Sequence, residues 1–200
     1  MKRLLWDVDT QVDFIDADGK LAVPGAEARV PAMARLVEWA RREGIPHVAS
    51  ADDHELTDPE ISETPDYRDT FPPHCLRGTR GAEKIAETEQ ADPVPLGSTE
   101  VPERWLRGRE FLLLKKHFDV FTNPNTDRLL ERLAPDEVIL FGVATDICDD
   151  AAIKGLLARG HRVTFVEDAS CGIDDERSRA CVVSWRGGGV RVAAVDDVVS

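Results

Sequence analysis

The chain has 200 residues, 42% of them apolar, and a formal net charge of −13. That length suits one α/β domain with a sizeable core over residues 1–200, and the negative charge argues against nucleic acid or an anionic membrane as partner. No apolar run is long enough to cross a bilayer, the start "MKRLLWDVDTQVDF" lacks a secretory apolar region, and Cys75, Cys148, Cys171 and Cys181 show no CxxC spacing; a cytoplasmic protein without disulfide framework or zinc knuckle is expected.

In chain order, "RLLWDVD" predicts a first strand, which runs out in "DVDTQVDF". Val30, Met33, Val37 and Ala40 then form an apolar stripe at helical spacing, and Gly44 ends that helix. "PHVASA" predicts the second strand. From Asp52 to Gly81 there is little periodicity, with four prolines and many charges; so long a loop in a compact domain is usually functional or disordered, and its two histidines favour function. "FLLLKK" is the next strand, and Thr126 to Leu133 a short helix. "EVILFGV" reads as a buried strand handing over to a helix from Asp146 to Arg159, with Thr145 as N-cap and Gly160 as stop. "RVTFVED", a helix from Asp174 to Trp185, and "VRVAAV" follow. Strands alternating with helices predict a mostly parallel sheet covered on both faces, with its ligand site at the carboxyl ends of the strands.

Three of those strand ends carry chemistry. Asp7 and Asp9 lie two apart and share a face. Lys115 and Lys116 end the "FLLLKK" strand. Cys148 follows "EVILFGV", where helix N-terminal N–H groups favour a thiolate, although Asp146, Asp149 and Asp150 oppose it and a cysteine there also reads as a small buried hydrophobe. If the three ends meet, a thiol nucleophile, a carboxylate able to take its proton and an ammonium converge. The loop adds Asp52 and His54 two apart, then Glu60 and His74, carboxylate and imidazole ligands of the kind that bind Zn, Mn or Fe.

Taken together, "DTQVDF", "ADDH", "FPPHCLRGTRGAE", "KKHFDVF" and "GVATDIC" resemble, in order, the nicotinamidases within the isochorismatase-like cysteine hydrolases, from Leu4 to about Asp168. The resemblance implies a three-layer α/β/α fold with a parallel sheet of about six strands, a Cys–Asp–Lys triad, and a cis peptide between Val143 and Ala144. Residue by residue it makes Asp9 the aspartate, Cys148 the nucleophile, and Lys115 the lysine, since it stands six before Phe121, with Lys116 the competing choice. It implies a divalent metal, Zn or else Mn or Fe, on Asp52, His54 and His74, with Glu60 where many members have another histidine. It implies an oxyanion hole from the N–H groups of Ala144 and Cys148, and a substrate ring held between Phe14 and Phe71. The implied reaction is hydrolysis of nicotinamide to nicotinate and ammonia by a homo-oligomer whose partner is a small amide. Thr10 and Val12 stand where nicotinamidases usually have Val and Asn, so an amidase acting on another small amide or an N-carbamoyl compound is the alternative, and a non-catalytic metal- or ligand-binding relative a further one.

Overall fold

A computed structural model describes residues 1–200. Its strands are β1 (Arg3–Val8), β2 (His47–Asp52), β3 (Val94–Leu96), β4 (Glu110–Lys115), β5 (Glu137–Val143), β6 (Val163–Cys171) and β7 (Arg191–Ala193), and its α-helices are α1 (Val12–Ile15), α2 (Val30–Glu43), α3 (Thr126–Leu133), α4 (Cys148–Ala158), α5 (Asp175–Gly187) and α6 (Asp196–Val199). The strands form one sheet in the order β3-β4-β2-β1-β5-β6-β7, every neighbouring pair parallel. The expected count of six is therefore corrected to seven. The extra strand is β3, three residues long with Pro95 at its centre. Proline removes a ladder donor and so is confined to an edge, which is where β3 lies.

Alternation along the strands divides the core into two layers. Leu4, Trp6, Val8 and Leu140 face the side covered by α4 and α5, where Phe165 packs edge-on against Trp185 at 4.9 Å. Leu5, Ile139 and Phe141 face the side of α2, packing with Met33, Leu36 and Trp39. Burying a side chain of this kind stabilises the fold by roughly 1.5–3 kcal/mol, so both faces of the sheet must be covered. No helix is long and apolar enough to cross a membrane.

The helix ends show the local chemistry. Gly44, at φ 65°, closes α2 in the left-handed conformation that glycine adopts without strain. Asp174 caps α5 by accepting the Arg177 N–H at 2.8 Å. The expectation that Thr145 caps α4 is corrected: its N–H bonds the Cys171 carbonyl at 2.9 Å, and the helix begins at Cys148 after Ile147 in a non-helical conformation. The peptide between Val143 and Ala144 is cis, as the resemblance implied. That turn carries the chain out of β5 and delivers Cys148 at the start of the helix.

Candidate active site and metal centre

Four adjacent strands each supply one group at the same edge of the sheet. In the order β4-β2-β1-β5, Lys115 ends β4, Asp52 ends β2, Asp9 follows β1, and Cys148 follows the turn after β5. Asp52 and Lys115 are register partners, so their side chains leave the sheet side by side. Open α/β sheets gather ligands at such carboxyl ends.

Lys115 is the hub. Its Nζ lies 2.5 Å from Asp52 Oδ1, 2.9 Å from Asp9 Oδ2 and 3.8 Å from Cys148 Sγ, with no solvent exposure of its side chain. Burial opposes its charge, but Asp52 and Asp9 outweigh it and hold the ammonium well above its ordinary range. The two carboxylates are driven apart. Burial is the largest influence on both; at Asp9 it prevails over the attraction of Lys115, and the neighbouring Asp52 charge adds to the rise. At Asp52, Lys115 together with His54 and His74 overcomes burial and holds the carboxyl well down. Lys116, the competing lysine, turns elsewhere: its Nζ lies 3.0 Å from Asp58.

The residues around Asp9 hold it in place. Asp9 adopts a left-handed backbone at φ 51°, and Ser50 donates its hydroxyl to Oδ1 at 2.7 Å. The Gln11 amide ties β1 to β2, accepting the Asp52 N–H at 2.7 Å and donating to the Asp52 and Ala82 carbonyls at 2.8 Å. Asp13 accepts the Cys75 N–H at 2.7 Å, and a Cβ at Gly81 would collide with its carboxylate, so the loop bearing His74 is pinned to the first strand's exit. Both residues belong to "DTQVDF", yet sequence reasoning assigned them no role.

Cys148 is buried, and burial pushes its thiol well up; Lys115 opposes this, while Asp9, Asp52 and Glu60 reinforce it. The pull of the helix N-terminus on the thiol is thus opposed in the fold by desolvation and by three carboxylates, Asp9, Asp52 and Glu60. Asp146 is engaged elsewhere, accepting the Ile173 N–H at 2.8 Å and pairing with Arg177, and Asp150 accepts the Trp185 indole N–H at 3.0 Å. Asp149 is fully buried with neither oxygen hydrogen-bonded. The backbone N–H groups of Ala144 and Cys148 donate no hydrogen bond within the chain, which leaves both free for a developing oxyanion.

Beside Asp52, the donor atoms of Asp52, His54, Glu60 and His74 all lie within 4.8 Å of one another, and all four residues are buried. His74 Nε2 and His54 Nε2 stand 3.4 Å and 3.7 Å from Asp52 Oδ2, and His54 Nε2 stands 3.8 Å from Glu60 Oε1. The Pro72 carbonyl lies 2.7 Å from His74 Nδ1, and the Phe118 N–H donates to Glu60 Oε2 at 2.7 Å. A proton on His74 Nδ1 leaves Nε2 with its lone pair toward the cluster. Both ring nitrogens of His54 lack a hydrogen-bond partner despite complete burial. At His74 burial opposes protonation, but Asp52 raises its pKa all the same; at Glu60 burial and Asp52 raise the carboxyl. The cluster thus attracts positive charge beyond what Lys115 supplies, and its donor set fits a divalent cation.

The cavity in front of these groups is small and lined mostly by apolar side chains. Asp52, Glu60, His74 and Cys148 face it from one side, and Phe14 and Phe71 line it, their rings 5.3 Å and 6.2 Å from the His74 ring. Leu21, Val23, Phe118, Ile147 and Ile173 complete the apolar wall. Isolated apolar residues in loops carry no periodic signal, so sequence reasoning did not find this wall.

A parallel sheet with thiol, carboxylate and ammonium at adjoining strand ends is the arrangement that the sequence resemblance implied. The Isochorismatase domain matches residues 4–197, and the chain belongs to that family. The chain is 29% identical over 187 residues to the nicotinamidase/pyrazinamidase of Mycobacterium tuberculosis, across 92% of this chain and 94% of that one. The structure of N-carbamoylsarcosine amidase from Thermoplasma acidophilum superposes with a TM-score of 0.77 at 28% identity, covering 99% of each chain. The fold is also that of the pyrazinamidase of Pyrococcus horikoshii in complex with zinc, at a TM-score of 0.74 and 22% identity, covering 97% of this chain and 99% of that one.

Proposed function

We propose that this protein hydrolyses nicotinamide to nicotinate and ammonia, with Cys148 as nucleophile, Asp9 as proton carrier and Lys115 as electrostatic anchor. The observation that carries the reading is the composition of the cavity. Its wall is apolar apart from Cys148 and the Asp52, Glu60 and His74 side chains, and it holds no arginine or lysine; the nearby Lys115 is already committed to two carboxylates. A flat neutral ring suits a wall that includes Phe14 and Phe71, whereas the carboxylate of an N-carbamoyl amino acid would meet no free arginine or lysine there. The intact Cys148, Asp9 and Lys115 also speak against a purely binding role.

Of the two carboxylates on Lys115, Asp9 is the better base, because burial lifts it while Asp52 is held down. As the Cys148 sulfur bonds to the amide carbon, its proton passes to Asp9. Lys115 stabilises the charges exchanged, and the N–H groups of Ala144 and Cys148 receive the oxyanion; losing one such donor typically costs about a hundredfold or more in rate. The C–N bond breaks as Asp9 returns the proton to the nitrogen, releasing ammonia and leaving a thioester. Water then attacks the thioester carbonyl, giving a proton to Asp9; the C–S bond breaks, and the proton returns to the sulfur. A divalent cation held by Asp52, His54, Glu60 and His74 would supply a Lewis acid for the pyridine nitrogen and so orient the ring. The same reading places the enzyme in the cytoplasm as a homo-oligomer acting on a freely diffusing small amide, not on nucleic acid or a membrane.

A substrate panel tests the assignment. The expected order of kcat/KM is nicotinamide first, benzamide lower because it lacks the ring nitrogen, and N-carbamoylsarcosine lowest. N-carbamoylsarcosine in first place would replace the nicotinamidase reading with the carbamoyl amidase one.

A further inference from the structure

Resting on the metal reading above, we infer that Asp58, held by Lys116, is a positioning residue that orients His54 and strengthens it as a metal ligand. His54 is fully buried, and its two ring nitrogens face opposite ways. Nε2 looks into the cluster, toward Asp52 and Glu60. Nδ1 looks out of it, toward Asp58 Oδ2 at 3.4 Å. No other group in the chain offers either nitrogen a hydrogen bond. A buried imidazole with both nitrogens unsatisfied is costly, and one arrangement resolves both: a cation on Nε2, and a proton on Nδ1 directed at the Asp58 carboxylate. Histidine ligands commonly donate their second N–H to a carboxylate, which fixes the tautomer and raises ligand basicity.

Asp58 is itself held for this task. The same Oδ2 accepts the Glu55 N–H at 2.8 Å and lies 3.0 Å from Lys116 Nζ. That Nζ is shielded from solvent and has no other partner. Adjacent residues at a strand end point to opposite sides, so the lysine pair divides the work. Lys115 enters the reaction centre, and Lys116 anchors the carboxylate behind the metal ligand.

The test measures Zn²⁺ dissociation constants by chelator competition on metal-stripped protein, alongside thermal unfolding of the same metal-free samples. Asp58→Ala is expected to weaken Zn²⁺ binding about 10–100-fold. Asp58→Asn, whose amide oxygen can still accept the Nδ1 proton, is expected to fall between Asp58→Ala and wild type, and Lys116→Met to shift binding in the same direction by less. Glu55→Ala, which removes an equal charge from the same loop without touching the imidazole, is expected to leave the constant unchanged. Should metal-free Asp58→Ala unfold, the near-isosteric Asp58→Asn decides the matter. Asp58 variants that bind Zn²⁺ like wild type, or a Glu55→Ala loss as large as theirs, would overturn the inference alone. A wild-type protein that takes up no divalent metal would overturn the metal reading, and this inference with it.

Discussion

Lys115 Nζ stands 3.8 Å from Cys148 Sγ, and both residues are buried at a sheet edge where three carboxylates crowd the same few ångströms. The lysine is the only cation of the chain in contact with Asp9, Asp52 and Cys148 together. Lys115→Met therefore leaves buried negative charge uncompensated. It is expected to destabilise the protein by about 3–5 kcal/mol and to lower kcat by about a hundredfold or more. At saturating metal, Lys116→Met should keep most of the turnover. Denaturant unfolding and steady-state ammonia release on both variants check the pair.

The buried thiol has a measurable signature. Because burial and the surrounding carboxylates raise Cys148, iodoacetamide should label it slowly at neutral pH in the metal-free enzyme, with the rate rising as pH increases. Binding a divalent cation neutralises Asp52 and Glu60, lowers the cost of the thiolate, and should move the labelling curve to lower pH. Peptide mapping of Cys148 against pH, with and without Zn²⁺, follows the shift; curves that coincide would contradict the electrostatic account of the site.

Glu60, where the sequence resemblance implied a histidine in many members, brings a second carboxylate to the cluster. Glu60→Gln should weaken metal retention and raise KM more than it lowers kcat, since orientation of the ring suffers before the chemistry does. His54→Ala should lose more metal than Glu60→Gln, because a nitrogen donor disappears outright. Elemental analysis after dialysis, together with KM for nicotinamide, distinguishes the two variants.

Asp149 is a buried acid without a hydrogen bond, raised well above its ordinary range by burial, with Asp9 adding to the effect. A carboxyl whose folded pKa is raised favours the native state below its unfolded pKa, and that contribution is lost as pH rises toward the folded pKa. Asp149→Asn keeps the shape without the titration. It should melt like wild type at acid pH and above it near neutrality, by a margin that grows with pH. Melting curves from acid to neutral pH test this, and a variant less stable than wild type at neutral pH would show that the ionised carboxylate has a partner in solution.

Much of this was legible in the sequence because the site sits where strands stop. The boundaries of β5 and α3 coincide with the predicted ones, and Asp9, Asp52, Lys115 and Cys148 all stand at strand exits, where a residue's identity signals chemistry more than packing. β3 was not legible: three residues with a central proline carry almost no strand signal, and only pairing with β4 makes them one. The start of α4 was misplaced because Thr145 has the chemistry of an N-cap, but its N–H is drawn to Cys171, distant in sequence. The state of the Cys148 thiol stayed open for a similar reason. A helix N-terminus can be read locally, whereas the burial and the carboxylates brought by β1, β2 and the loop exist only in the folded protein.

The central claim is covalent: Cys148, relieved of its proton by Asp9, carries the acyl group between two half-reactions. The most direct measurement is rapid acid quench of metal-loaded enzyme with excess nicotinamide, followed by mass spectrometry of the intact protein and of the peptide containing Cys148. The account predicts one nicotinoyl group on Cys148 during turnover, gone when substrate is exhausted, and neither adduct nor ammonia release in Cys148→Ala. Ammonia release that persists in Cys148→Ala, with no adduct on the wild-type protein, would contradict it.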